Sequence, residues 1–171
     1  MVQHCAIELT MTAGTPQPAG KEPRLRKSRR GFLGLAVLLG GGVAAARWFN
    51  LGAEISNNSL SVSDAHDKAL SGQIALIDIR RPDEWARTGI GASALPLDMR
   101  DPEFSDVLLA HVDNDLGASI ALICARGVRS RGLAKRLTST GFTHIIDVPE
   151  GMLGSGAGPG WIKAGLPVTH P

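Results

Sequence analysis

A cysteine stands at the head of a short cationic loop, CARGVRS, at residues 124–130. The residues before it, ASIALI, are apolar, whereas the loop carries Arg126 and Arg129 on either side of Gly127. Neighbouring cations and a helix N-terminus favour the thiolate, which is the nucleophilic form of cysteine. A loop that curls at a glycine can also direct several backbone N–H groups toward one point and so bind an anion. The pattern predicts nucleophilic chemistry by Cys124 on an anionic substrate.

The alternative is an inert thiol at the end of a core strand, because free cysteine is among the most buried residue types. Cys5 falls in a segment that we expect to be removed, so Cys124 has no second thiol with which to form a disulfide. The five histidines show no ligand spacing, and we therefore expect no metal and no cofactor.

Alternating strand and helix patterns surround this loop. IALIDIR (residues 74–80) predicts a buried strand, PDEWAR (82–87) a short helix that begins with proline, and ASIALI (118–123) a second buried strand. A helix at 130–140 and a strand at 144–148 follow. The alternation predicts an α/β fold with a small central parallel sheet of about five strands and helices on both faces.

Three further segments complete this prediction, and the first is a helix at 61–71 in which Ser61 and Asp64 are placed like a capping box. Residues 94–99 form a short strand candidate, and residues 101–112 form a helix that places Phe104, Val107, Leu108 and His111 on one face. In open α/β sheets the site lies beyond the carboxyl ends of the strands, and Cys124 falls at such an end. Residues 151–160 contain five glycines and predict a loop at the same edge.

The charge of the chain is unevenly distributed. With 171 residues and 43% hydrophobic side chains, the chain is long enough for one domain with a core. Residues 1–46 carry six basic and two acidic side chains, whereas the chain from Arg47 onward carries 12 basic and 14 acidic ones. Along the sequence, no cluster of basic residues of the kind that marks a nucleic-acid-binding face appears outside the front segment, so we expect no nucleic-acid partner.

The front segment has the parts of an export signal. Basic residues precede an apolar run at 31–46, which ends in three alanines that fit a cleavage site. SRRGFLG (28–34) resembles the twin-arginine signal S-R-R-x-F-L-K, with Gly34 in place of the lysine. The resemblance implies bacterial export to the periplasm by the twin-arginine machinery. Two alternatives remain open: residues 31–46 are retained as a membrane anchor that faces the periplasm, or the segment is a basic linker with a short apolar helix. We assign residues 1–46 to the signal, 47–54 to a linker and 55–171 to the domain.

Three motifs in order identify a family resemblance. IDIRRPDEW (77–85), CARGVRS (124–130) and EGMLGSGAGPGWIKAGLPV (150–168) resemble the motifs of a single-domain rhodanese, a sulfurtransferase module. Two positions depart from the family pattern. Where the family commonly has "GHIPGA", this chain has TGIGA at residues 88–92 and lacks the histidine. Where many members have two consecutive glycines, this chain has Gly151 followed by Met152.

The resemblance implies that Cys124 takes a sulfane sulfur from thiosulfate or a similar anionic donor, and then passes it to a thiol or to cyanide. It implies that the donor is bound by the rest of the loop, namely Ala125, Arg126, Gly127, Val128, Arg129 and Ser130. Asp78 and Arg80 belong to the strand motif and are expected to be structural, whereas Glu84 and Trp85 are expected on the helix surface and in the core.

Two other classes of protein remain open. Cysteine phosphatases and arsenate reductases use a C-x5-R loop, whereas only four residues separate Cys124 from Arg129 here. A non-catalytic binding module of the same fold would need neither the cysteine nor the complete loop. Transfer of sulfur through a persulfide on Cys124 is therefore the preferred hypothesis.

Overall fold

The computed structural model describes residues 42–171, so the predicted export signal lies outside the described residues except at 42–46. Between residues 42 and 171, no helix has the length and apolar character needed to cross a membrane. The elements are, in chain order, α1 (42–49), α2 (Val62–Leu70), β1 (Ala75–Asp78), α3 (Pro82–Thr88), β2 (Ile90–Gly91), β3 (Ala94–Pro96), α4 (Phe104–His111), β4 (Ile120–Ile123), α5 (Val128–Ser139), β5 (Ile145–Val148) and β6 (Val168–Thr169).

The central sheet contains four parallel strands in the order β3-β1-β4-β5. The short strands β2 and β6 pair with each other in an antiparallel ladder apart from this sheet. All four residues of β4 are buried, as expected for a strand with a partner on each side and helices on both faces. The predicted α/β fold with a small parallel sheet is therefore confirmed, with four strands in the central sheet.

Alternate residues of the strands fill two cores, one on each face of the sheet. Ile77 and Leu122 face α4 and α5, where they pack in one cluster with Leu108 and Leu133. Residues of the opposite face, such as Leu76 and Ile123, pack with α2 and the buried Trp161. Each large side chain buried in this way contributes roughly 1.5–3 kcal/mol. The two cores hold β1 and β4 rigidly, which fixes the position of the loops that follow them.

The helix α4 differs from its prediction. Phe104 and Leu108 are buried, as expected, but Val107 and His111 are exposed to solvent. The helix begins at Phe104 rather than near Asp101. The side chains that face the core are spaced four residues apart, at Phe104, Leu108 and the partly buried Val112. A stripe with this spacing is narrower than the face that the sequence predicted.

The order of the strands creates a crevice between β1 and β4. The chain passes from β1 to β3 on one side, and then crosses to β4 on the other side of β1. Such a reversal of strand order leaves a crevice beyond the carboxyl ends of the two central strands. Here these ends are Asp78 of β1 and Ile123 of β4, and Cys124 follows directly.

Candidate active site

Cys124 lies at the carboxyl end of β4 with only 1% of its surface exposed. The backbone N–H of Gly127 donates to its sulfur, with an N···Sγ distance of 3.2 Å. The hydroxyl of Ser130, on the first turn of α5, lies 3.6 Å from the same sulfur. The sulfur therefore faces a backbone donor and the N-terminal end of a helix, both of which favour a negative charge.

Gly127 has the backbone conformation that makes this contact possible. Its φ of 78° is in the left-handed region, and it immediately precedes α5. A Cβ at this position would collide with the backbone of Pro149, whose Cα would be 2.8 Å away. Only glycine fits here, as the predicted tight curl of the loop requires.

The glycine-rich segment after β5 packs against the cysteine loop. The N–H of Met152 donates to the Cys124 carbonyl at 2.8 Å, and the N–H of Leu153 donates to the Ala125 carbonyl at 2.9 Å. Gly151, with a φ of 68°, allows the two backbones to approach closely, because a Cβ there would be 2.7 Å from the nitrogen of Arg126. The predicted loop thus lies at the same edge of the sheet and holds the cysteine loop in place.

Arg129 is held by Glu84, which lies in the first turn of α3. Two guanidinium nitrogens of Arg129 donate to the two carboxylate oxygens of Glu84, each at 2.7 Å. The Arg81 N–H also donates to Glu84 at 3.2 Å. Glu84 is 9% exposed, so the expectation that it lies on the helix surface is wrong. Its carboxylate is the fixed partner of the second arginine of the loop, while Trp85 is half-buried.

The charges of this pair are mutually stabilised. Burial alone would raise the pKa of Glu84, but hydrogen bonds from Arg129 and Arg81 and the charges of Arg129 and Arg80 lower it to about 2. The hydrogen bond with Glu84 raises the pKa of Arg129 against the effect of burial, and the neighbouring Cys124 raises it further. Arg129 is therefore a permanent cation beside the sulfur.

Arg126 points in another direction. One of its guanidinium nitrogens donates to the Gly154 carbonyl at 3.0 Å, and the guanidinium carbon lies 4.6 Å from the centre of the Phe49 ring. Its own carbonyl accepts a hydrogen bond of 2.7 Å from the side chain of Asn50. Arg126 thus occupies the outer rim of the site, whereas Arg129 lies beside the sulfur.

Asp78 and Arg80 form a second ion pair that is completely buried. Their side chains are 0% and 1% exposed, and the shortest distance between them is 2.6 Å. Arg80 also donates to the Thr88 hydroxyl at 2.7 Å and to the Gly89 carbonyl at 2.6 Å. These bonds connect the end of β1 to the end of α3, and neither residue lines the cleft around Cys124.

Cys124 lies at the floor of a cleft of about 730 Å³. Ala125 and Val128 of the loop also line it, and Val128 is 52% exposed. Among the described residues, Glu84 supplies the only carboxylate that lines the cleft. Six arginines line it as well, namely Arg47, Arg81, Arg87, Arg100, Arg126 and Arg129. Such a strongly cationic cleft attracts anions.

Four of these arginines were not predicted. Three of them lie shortly after the carboxyl ends of β1 and β3, namely Arg81, Arg87 and Arg100. Because the site of an open α/β sheet lies at these ends, their position in the sequence could have predicted that they line the cleft. Arg47 lies in the predicted linker, where no sequence pattern marks it. In the described part of the chain, no group of three or more His, Cys, Asp or Glu side chains is arranged to hold a metal ion.

Comparisons with known proteins agree with this architecture. The pattern of the Rhodanese-like domain matches residues 61–154. An uncharacterized protein of Rickettsia prowazekii is 25% identical over 105 residues, which are 57% of this chain and 85% of that protein.

Two solved structures share the fold. The rhodanese-like domain of an Anabaena sp. protein superposes with a TM-score of 0.53 at 16% identity, over 68% of this chain and 81% of that one. The polysulfide-sulfur transferase homodimer of Wolinella succinogenes gives a TM-score of 0.52 at 22% identity, over 81% and 93% of the two chains. The family match covers more than half of the chain and includes Cys124 and its loop, and we conclude that this protein belongs to the rhodanese-like domain family.

Proposed function

We propose that the protein is a sulfurtransferase that carries a sulfane sulfur on Cys124 as a persulfide. The donor is thiosulfate or a similar small anion, and the acceptor is a thiol or cyanide. The observation that carries this proposal is the Gly127 N–H at 3.2 Å from the Cys124 sulfur, on the floor of a cleft lined with arginines. This contact, together with the start of α5, can stabilise negative charge on the sulfur when it reacts.

The first step is attack by the Cys124 thiolate on the outer sulfur of thiosulfate. A bond forms between the two sulfurs, while the sulfur–sulfur bond of thiosulfate breaks and its electron pair leaves with sulfite. The product is a persulfide anion on Cys124, so the total charge is conserved. The Gly127 N–H, the Ser130 hydroxyl and the N-terminus of α5 surround the Cys124 sulfur itself, where they can stabilise the negative charge that this sulfur carries before the attack and regains in the second step.

In the second step, an acceptor thiolate or cyanide attacks the outer sulfur of the persulfide. The sulfur–sulfur bond breaks, and its electron pair returns to Cys124 as the thiolate. The acceptor leaves as a persulfide or as thiocyanate. The chemistry needs a single enzyme sulfur and no cofactor, in agreement with Cys124 as the one cysteine of the described residues.

We assign different tasks to the two arginines of the loop. Arg129 is a cation fixed beside the sulfur by Glu84, and it can donate charge-assisted hydrogen bonds to the sulfonate oxygens of the donor. Arg126 is bound to Gly154 and stacked on Phe49, so it contributes charge at the rim. Arg129 is therefore the main determinant of donor binding.

The activity is tested by following sulfite release from thiosulfate with cyanide as the acceptor. We expect turnover by the wild type and none by Cys124→Ser, because a hydroxyl is a much weaker nucleophile than a thiolate at neutral pH. An aryl phosphate assayed in parallel distinguishes a phosphatase. Hydrolysis of that ester without sulfite release would contradict the proposal, and inactivity of the folded wild type on both compounds would indicate a binding module.

We also propose export to the periplasm by the twin-arginine machinery, on the basis of the motif at residues 28–34. Replacing Arg29 and Arg30 together by Lys should leave the precursor in the cytoplasm. The matched control replaces Arg24 and Arg26 by Lys, which keeps the charge but leaves the motif intact. Equal periplasmic yields of the two double variants would contradict this proposal, and fractionation of membranes would distinguish a retained anchor from a cleaved signal.

A further inference from the structure

We propose that residues 47–50, here named the rim strap, determine which acceptor the active site takes. The strap binds the far end of a small thiol that carries carboxylates beyond its sulfur. This inference rests on the proposed sulfur transfer. It concerns a part of the chain that lies outside the residues matched by the family pattern, 61–154.

Three contacts attach the rim strap to the active site. The side chain of Asn50 donates to the Arg126 carbonyl at 2.7 Å, and its backbone carbonyl accepts the Gly156 N–H at 3.0 Å. The ring of Phe49 lies under the Arg126 guanidinium at 4.6 Å. The predicted linker therefore contacts both the cysteine loop and the glycine-rich loop.

The strap presents one cation and one aromatic ring to the cleft. Arg47 and Trp48 both line it, and Trp48 is 75% exposed. An indole with this exposure gains little from the protein core, so it is available to the apolar part of a ligand. A cation next to an exposed aromatic ring is suited to an anion that also has a carbon skeleton.

The uncompensated charge of the cleft lies on the side of the strap. Arg81 and Arg87 pair with Asp83, Arg100 pairs with Asp98, and Arg129 pairs with Glu84. Within residues 42–171, neither Arg47 nor Arg126 has a carboxylate within ion-pair distance, although both line the cleft. A second anionic group would therefore bind most favourably near Arg47 and Arg126.

The size of the cleft indicates the length of the ligand. Its volume of about 730 Å³ is typical of sites for complete small organic ligands, whereas thiosulfate has only a few heavy atoms. Cys124 lies at the floor and the strap lies at the rim, so a ligand that reaches both has its sulfur at one end and its carboxylates at the other. Its thiolate attacks the outer persulfide sulfur and leaves as a persulfide, while Cys124 regains the thiolate.

The test compares two thiols as acceptors for the persulfide of the full-length protein. The first, 6-mercaptohexanoate, carries a carboxylate at the end of its chain opposite the sulfur, whereas the second, 6-mercaptohexan-1-ol, has the same length and carries a neutral hydroxyl there. Each protein is loaded with thiosulfate and freed of excess donor, and the rate of persulfide loss is measured with each thiol. Comparing a variant with the wild type for the same thiol cancels the difference in intrinsic reactivity between the thiols.

Arg47→Gln should discharge to 6-mercaptohexanoate about threefold to fivefold more slowly than the wild type, as expected for the loss of one exposed ionic contact. Discharge to 6-mercaptohexan-1-ol should slow clearly less, because this thiol has no carboxylate for Arg47 to bind. The matched control is Arg136→Gln, which makes the same substitution on an exposed residue of α5 outside the cleft. This control should behave as the wild type with both thiols.

Two results would overturn the strap inference while leaving the sulfur-transfer proposal intact. One is normal loading of Arg47→Gln followed by wild-type discharge to both thiols. The other is slowing by the same factor with both thiols, which would mean that Arg47 does not recognise carboxylates. Failure of the wild type to form a persulfide would overturn both proposals.

Discussion

Two arginine–carboxylate pairs lie beside α3, and they differ in exposure. Asp78–Arg80 contacts the last turn of the helix, and Glu84–Arg129 lies at its first turn. In the pair Asp78–Arg80 the side chains are 0% and 1% exposed, whereas in Glu84–Arg129 they are 11% and 32% exposed. Both are close ion pairs, with shortest distances of 2.6 Å and 2.7 Å. We call Asp78–Arg80 the closed pair, because solvent does not reach it, and Glu84–Arg129 the open pair, because both of its residues line the cleft. The closed pair can only stabilise the fold, whereas the open pair can also contact a substrate.

The hydrogen bonds of the two arginines explain the difference. All three side-chain nitrogens of Arg80 donate within the protein, to Asp78 and to Glu84, Thr88 and Gly89. Arg129 instead uses two nitrogens for Glu84, and its remaining donors have no hydrogen-bond acceptor in the part of the chain that the structure describes, apart from the neighbouring sulfur. A saturated guanidinium can only hold the fold together, whereas a partly saturated one can also bind a substrate.

The largest effect is expected when the closed pair is broken. Asp78→Asn leaves the charge of Arg80 buried without its counter-ion, and should lower the free energy of unfolding by about 3–5 kcal/mol. Urea denaturation measures the change. The control, Asp83→Asn, removes the partner of the exposed Arg81 and Arg87 and should cost less than about 1 kcal/mol. Similar losses in the two variants would contradict a structural role for the closed pair.

The next effect concerns catalysis and the open pair. Arg129→Ala should lower kcat/KM for thiosulfate about tenfold to a hundredfold, equivalent to about 1.5–3 kcal/mol for a hydrogen bond to a charged group. Arg126→Ala is the matched control, since it removes the same charge from the same loop. Because Arg126 is bound at the rim, its loss should lower kcat/KM less than about threefold. Equal effects would show that the loop acts by general attraction of anions.

A smaller effect is expected from Glu84→Gln, and it should depend on pH. The folded-state pKa of Glu84 is about 2, below its ordinary value of 4.5, so its ionised form stabilises the fold at neutral pH. This contribution is complete above pH 4.5 and is lost as the pH falls toward 2. Glu84→Gln should therefore be less stable than the wild type by about 1–2 kcal/mol at pH 7.

Urea unfolding at several pH values measures this dependence. The difference between wild type and Glu84→Gln should shrink below pH 4.5 as the wild-type carboxylate takes up its proton. The control is Ser105→Ala, an exposed residue of α4 without a titratable side chain, whose effect should not vary over this range. A constant difference between wild type and Glu84→Gln across the whole range would show that Glu84 acts by packing rather than by charge.

The sequence was sufficient for the parallel sheet and for the place of Cys124, because both follow from local patterns of apolar and turn residues. It could not assign a partner to Asp78, since the pairing depends on how the chain bends after β1. It placed Glu84 on the helix surface because helical spacing does not reveal which loop packs over the first turn. Arg47 was missed for a similar reason, since its place in the cleft depends on the long-range contacts of Phe49 and Asn50.

The most direct test of the central claim is the intact mass of the protein before and after exposure to thiosulfate. The wild type should gain one sulfur atom, and cyanide should remove it. Cys124→Ser should gain none, because a neutral hydroxyl is a far weaker nucleophile than a thiolate. A wild type that gains no sulfur, or a serine variant that gains the same mass, would contradict the assignment of Cys124 as the carrier of the transferred sulfur.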